Sequence, residues 1–146
     1  MGEINWLSVV IATIIPSIMG FAWYSPMLFG KAWMDSIGMT EEKARSANMP
    51  VIMGISLVLA FFMAFFLIAN VNGPGQEGEF DTFKHGALHG AIVGIMIVVP
   101  TFISNGLFEQ KSWKNMLINV AYWTVTLSIM GGVLDAMNHW KDAGGM

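Results

Sequence analysis

His85 and His89 open one long apolar stretch of the chain, and Asp135 and His139 close the next at the same spacing of four. Residues four apart on a helix lie one turn apart on a single face. Each pair can therefore offer two side chains to one ion or one proton. Imidazole and carboxylate are both zinc ligands, and histidine changes charge near physiological pH. Asp81 extends the first row if its helix starts early enough. Only a tight link separates the two stretches, so they form an antiparallel hairpin with the start of one beside the end of the other. Asp81, His85, His89, Asp135 and His139 are expected to converge there. Three chemistries fit: a divalent metal site, a proton-sensitive pair, or an interhelical hydrogen-bond cluster. His89 is the most informative member, because it sits a turn deeper than His85.

A second constellation lies on the last stretch. Asn115, Asn119, Tyr122 and Thr126 fall on one helical face, while Thr124, Ser128, Gly131 and Asp135 fall on the opposite one. A membrane helix polar on both sides should touch protein on both sides, or line water on one. It belongs at the centre of a bundle or at an oligomer axis. Gly86, Gly90 and Gly94 form a doubled GxxxG spacing on the preceding stretch. Glycine at every fourth position makes a groove in which another backbone approaches closely. Thr101 and Asn105 continue the same stripe.

The elements that must hold these residues follow from composition. Of the 146 residues, 55% are hydrophobic and 12% charged, against about 25% charged in soluble domains. Four stretches reach the roughly 20 apolar residues a membrane span requires: residues 4–26, 50–70, 84–107 and 113–137. The fold expected is all-α, one integral membrane domain built as a four-span helical bundle with short loops. The first stretch lacks a basic leader and carries Glu3 ahead of its apolar run, so it is expected to be a retained span and not a cleaved signal. In the first loop, Thr40 before Glu41, Glu42 and Lys43 predicts a short interfacial helix with Thr40 as its cap. Asn72-Gly73-Pro74-Gly75 marks the second loop as a turn, followed by Glu77 and Glu79. Pro16 and Pro100 should each loosen their helix by removing a backbone hydrogen bond.

Loops one and three hold Lys31, Lys43, Arg45, Lys111 and Lys114, five of the seven basic residues. Positive charge stays on the cytoplasmic side. Both termini are thus expected on the outer side of a cell membrane. Net charge is −3 with no basic patch, which argues against nucleic acid as a partner. The absence of cysteine excludes disulfides and thiol catalysis. No nucleophile elbow, phosphate loop or zinc-protease helix is present, so an enzyme is not expected.

The block Trp23-Tyr24-Ser25-Pro26-Met27-Leu28-Phe29-Gly30-Lys31-Ala32-Trp33 ends the first span. Trp23, Tyr24 and Trp33 suit the headgroup belt, and Lys31 suits snorkelling toward phosphates. With Asn5-Trp6 and a polar last span carrying Asn119 and Gly131-Gly132, this block resembles the domain-of-unknown-function 1761 family of small integral membrane proteins. The resemblance covers essentially the whole chain and implies a four-helix membrane protein. It brings no established activity or site residues. The residues themselves suggest a homo-oligomer in the lipid bilayer that passes a small solute or ion. Two other readings are an accessory or assembly subunit, and a metal-binding protein with a His/Asp cluster at the outer face.

Overall fold

The computed structural model describes residues 4–71 and 81–144, with side chains to residue 138. The turn at 72–75, with Glu77 and Glu79, lies outside these residues, as does the side chain of His139. Every described regular element is helical. In order they are α1 (Trp6–Trp23), α2 (Gly30–Ser36), α3 (Glu41–Arg45), α4 (Met49–Val71), α5 (Phe83–Val93), a π-helical turn (Gly94–Val98), α6 (Val99–Phe108) and α7 (Trp113–Gly144). Four segments are long and apolar enough to cross a membrane: Trp6–Trp23, Met49–Val71, Phe83–Phe108 and Trp113–Asn138. They match the four expected spans to within a few residues at each end.

Local chemistry sets the boundaries. Asn5 caps α1 by accepting from the Ser8 amide, and its Nδ2 donates to the Met137 carbonyl at 3.0 Å, which ties the start of α1 to the far part of α7. Pro26 cannot continue α1, and residues 24–29 turn back under it. Phe29 N–H donates to the Trp23 carbonyl, and Gly30 N–H to the Ser25 carbonyl at 3.0 Å. A Cβ at Gly30 would strike the Tyr24 and Ser25 carbonyls, so this turn requires glycine. The interfacial helix expected in the first loop is α3, and Thr40 accepts from the Lys43 amide as its cap. A second short helix, α2, precedes it.

In lipid, helices associate by packing and hydrogen bonding, with no hydrophobic drive between them. The burial pattern shows which helix collects those interactions. Half of the α7 membrane window is buried, against 22% for α1 and α4 and 11% for α5–α6. The polar fourth span is therefore the centre of the bundle, and α5, α1, α4 and α2 all pack on it. Val9 and Ala12 of α1, Ala64 and Leu67 of α4, and Met130 and Leu134 of α7 meet in its core.

The glycine seam is real, and its partner is α7 of the same chain. A Cβ at Gly86 would land on the Gly131 carbonyl, one at Gly131 on the Gly86 carbonyl, and one at Gly90 on the Leu127 carbonyl. At Gly94 it would reach 2.9 Å from Thr124 Cα. The stripe does not continue onto Thr101 and Asn105, which are exposed; Gly106 is buried instead, against Met116. The wide turn at Gly94–Val98, just ahead of Pro100, is the reason. Proline leaves no N–H for the preceding turn, and a π turn inserts about one residue, or about 100° of helix rotation. After it, Val98 is half-buried and Gly106 is the buried residue of α6.

Candidate functional site

The first polar network is held by α5, α7 and the end of α4. Thr82 caps α5 by accepting from the His85 amide at 3.2 Å, which fixes His85 in the opening turn. The seam of Gly86 and Gly131 draws α5 onto α7 so closely that His85 Nδ1 lies 2.6 Å from Asp135 Oδ2. Asp135 is 0% exposed. On its other edge, His85 Nε2 lies 3.2 Å from His89 Nε2. His89 Nδ1 in turn lies 2.9 Å from Asn70 Oδ1, on α4. The result is a chain of three hydrogen bonds: Asp135, His85, His89, Asn70.

Counting protons along that chain defines what it can do. Asn70 Oδ1 is an acceptor, so His89 Nδ1 carries a proton and His89 Nε2 accepts from His85 Nε2–H when neutral. The third bond, between His85 Nδ1 and Asp135, then needs a proton beyond those of two neutral imidazoles. That proton is shared between imidazole and carboxylate. If the Asn70 amide turns over, Nδ2–H donates to His89 Nδ1, His89 Nε2–H donates to His85, and His85 Nδ1–H donates to a bare carboxylate. All three bonds survive with one proton fewer, and the Asn70–His89 and His89–His85 bonds have their directions reversed. The three hydrogen bonds can thus be drawn with either two or three protons along the line.

Of the five expected members, the structure joins His85, His89 and Asp135. Asp81 is buried nearby, and the His139 side chain is not described. Among the described residues no group of three His, Cys, Asp or Glu side chains is arranged to hold a metal ion. Asp135 engages the ring edge of His85 opposite to the one that meets His89, so the groups form a line, not a ring around a point. Asp135 Oδ1 and, one turn on, Asn138 Nδ2 are buried with no partner among the described residues. Asn70 was not among the expected site residues. An asparagine at the end of an apolar span reads as an interface residue, and only the packing of α4 on α5 reveals its role.

A second network lies at the opposite end of the bundle. Tyr24 Oη donates to Asn119 Oδ1 at 2.8 Å, Asn119 Nδ2 to Asn115 Oδ1 at 3.2 Å, and Asn115 Nδ2 to Ser36 Oγ at 3.1 Å. Ser36 Oγ ends the run on the Trp33 carbonyl at 2.6 Å. Trp23 Nε1 donates to the Ile118 carbonyl at 3.2 Å, and Tyr24 meets Trp33 edge-on. The aromatic block therefore grips α7 as well as marking the interface, while Lys31 stays exposed. Tyr122 Oη donates to the Pro16 carbonyl at 2.6 Å. Thr126 is fully buried, and its hydroxyl lacks a partner among the described residues. Both polar faces of α7 are thus occupied by helices of the same chain. Beside this network, a recess of about 140 Å³ between α6 and α7 is lined by Thr101, Asn105, Glu109, Lys111, Asn115 and Asn119 together with Phe102, Gly106 and Met116.

No curated protein and no solved structure matches the chain. Residues 7–135 match the model of a family described as "Protein of unknown function (DUF1761)". With the match spanning nearly the whole bundle, from α1 through Asp135, the chain belongs to the DUF1761 family.

Proposed function

We propose that this multi-pass membrane protein couples the movement of a proton to the passage of a small polar solute or ion. The observation that carries this is the Asp135–His85–His89–Asn70 chain, which is complete with and without its third proton. Ionisable side chains inside membrane helices are costly, and proton relays are among the roles that retain them. The partly polar recess beside Asn115 and Asn119 would serve as a vestibule at the other end. Four helices with an already packed central helix leave little room for a continuous path. A second copy would complete it, so the working unit is a homo-oligomer. The lysine and arginine bias of loops one and three supports a cytoplasmic vestibule and an outer position for the Asp135–His85–His89–Asn70 chain.

The test is reconstitution in vesicles carrying an internal pH dye. With an inward proton gradient, the wild-type protein should acidify the lumen faster than protein-free vesicles. His85→Gln and Asp135→Asn should abolish the difference. If wild type and variants are equally silent, the chain is a structural or accessory subunit with a hydrogen-bond cluster. If the purified protein carries stoichiometric zinc that His89→Ala removes, metal binding replaces the proton reading.

A further inference from the structure

The helix α4 packs against α5, α1 and α7 but not substantially against α6. It touches α5 through Asn70 and His89, and beyond the wide turn at Gly94–Val98 the two segments diverge. The wedge between them is a slot of about 390 Å³, walled by Phe62 and Phe66 on one side and Val93 and Phe102 on the other. Trp123 and Leu127 of α7 form its floor. Its lining is almost wholly apolar. It opens sideways, because Phe62 and Phe66 are 62% and 51% exposed on the outer face of a membrane-spanning helix. Whatever fills it arrives through the bilayer.

Two polar residues, Asn70 and His89, lie one turn beyond one end of this slot. Phe66 and Asn70 are one turn apart on α4, and Val93 and His89 are one turn apart on α5. The 2.9 Å contact between Asn70 Oδ1 and His89 Nδ1 therefore bridges the slot as a roof. In this arrangement the amide oxygen is used, and the Asn70 NH2 is left to donate. Asn70 is the next-to-last residue of α4, at the membrane edge. From Asn70 to Phe62 the helix descends about 12 Å, close to half of a hydrocarbon core of ~30 Å. That is the depth of one acyl chain in one leaflet.

We infer that the slot between α4 and α6 is a binding site for a single-chain amphiphile with a hydrogen-bond-accepting head, of the fatty-acid class. The chain lies over Trp123 and Leu127, and the carboxylate accepts from the Asn70 amide. This goes beyond the proton-coupled reading and does not depend on it.

Trp123 on the floor makes the site observable. Dibromostearate, whose bromines quench indole fluorescence, is titrated into the purified full-length protein in nanodiscs. The expected result is saturable quenching at about one molecule per chain, absent in Trp123→Phe. Filling the slot with Val93→Phe should weaken binding at least tenfold, and the methyl ester should bind more weakly than the acid by a margin that Asn70→Leu removes. Quenching that rises without saturation, and is indifferent to Val93→Phe and to the head group, would overturn the site and leave only ordinary bilayer lipid. If Val93→Phe does not fold, the comparison of acid and ester on wild type and Asn70→Leu still decides. His85→Gln should retain fatty-acid binding, so loss of proton coupling and loss of the lipid site are read separately.

Discussion

Asp135 and Asn119 show how much depends on single polar side chains in a membrane bundle. Asp135→Asn keeps the shape of the carboxylate and can donate to His85 Nδ1, so the hydrogen-bond line survives but its exchangeable proton is lost. This variant is expected to unfold within about 1 kcal/mol of wild type in detergent titrations while failing the proton assay. Asp135→Leu, which removes the bond to His85 altogether, should cost more, about 1–2 kcal/mol by the usual worth of interhelical hydrogen bonds. Asn119→Leu breaks two bonds at once, to Tyr24 and to Asn115, and is expected to cost about 1–2 kcal/mol on the same scale. If Asn119 lined an open path and carried no packing role, that variant would change flux and leave stability untouched. Four-residue spacing and a tight link brought His85 and Asp135 into one expected cluster of five, and the structure sets these two 2.6 Å apart. Asn70 was not legible, since its partner lies on a different hairpin and its meaning comes from contact.

At the scale of elements, the glycine seam tests whether close backbone approach holds α5 to α7. A Cβ at Gly90 would strike the Leu127 carbonyl, a group that cannot step aside. Gly90→Ala should therefore separate the helices and destabilise the protein by about 2 kcal/mol or more, in the range of overpacked cores. Gly54 on α4 offers an internal control, because a Cβ there meets nothing within 4 Å. Gly54→Ala should be neutral or stabilising by up to about 1 kcal/mol through helix propensity. Matched unfolding curves of the two alanine variants would show whether position, and not glycine content, matters. The seam itself was readable as far as Gly94 because period alone defines a face. Its continuation was not, because Pro100 announces a disturbed helix without saying which turn absorbs it. The extra residue at Gly94–Val98 rotates everything after it, which moves Thr101 and Asn105 off the seam and brings Gly106 onto it. The same turn opens the slot beneath Asn70, so a local backbone adjustment to one proline reaches both the packing and the shape of the lipid-facing surface.

The whole molecule is polarised along the membrane normal. Asp135, His85, His89 and Asn70 sit where α4 and α7 end and α5 begins; Tyr24, Asn119, Asn115 and Ser36 sit where α1 ends and α7 begins. Helix α7 carries members of both networks, and between them Tyr122 donates to the Pro16 carbonyl of α1 while Ser128 donates to the Thr124 carbonyl of α7 itself. On the proposed function, the sidedness of the networks decides which face of the membrane supplies the proton. The proposed orientation has the Tyr24 end inside, following the five of seven basic residues in loops one and three. Since the chain has no cysteine, single cysteines can report this without a prior cysteine-free variant. Glu42→Cys in α3 and Glu109→Cys after α6 both lie on exposed positions, as does Lys84→Cys at the start of α5. An impermeant maleimide added to intact cells is expected to label Lys84→Cys at once, and Glu42→Cys and Glu109→Cys only after permeabilisation. The reverse pattern would place the histidines toward the cytoplasm, so that a proton entering the cell would reach His85 last and the recess beside Asn119 would face outside.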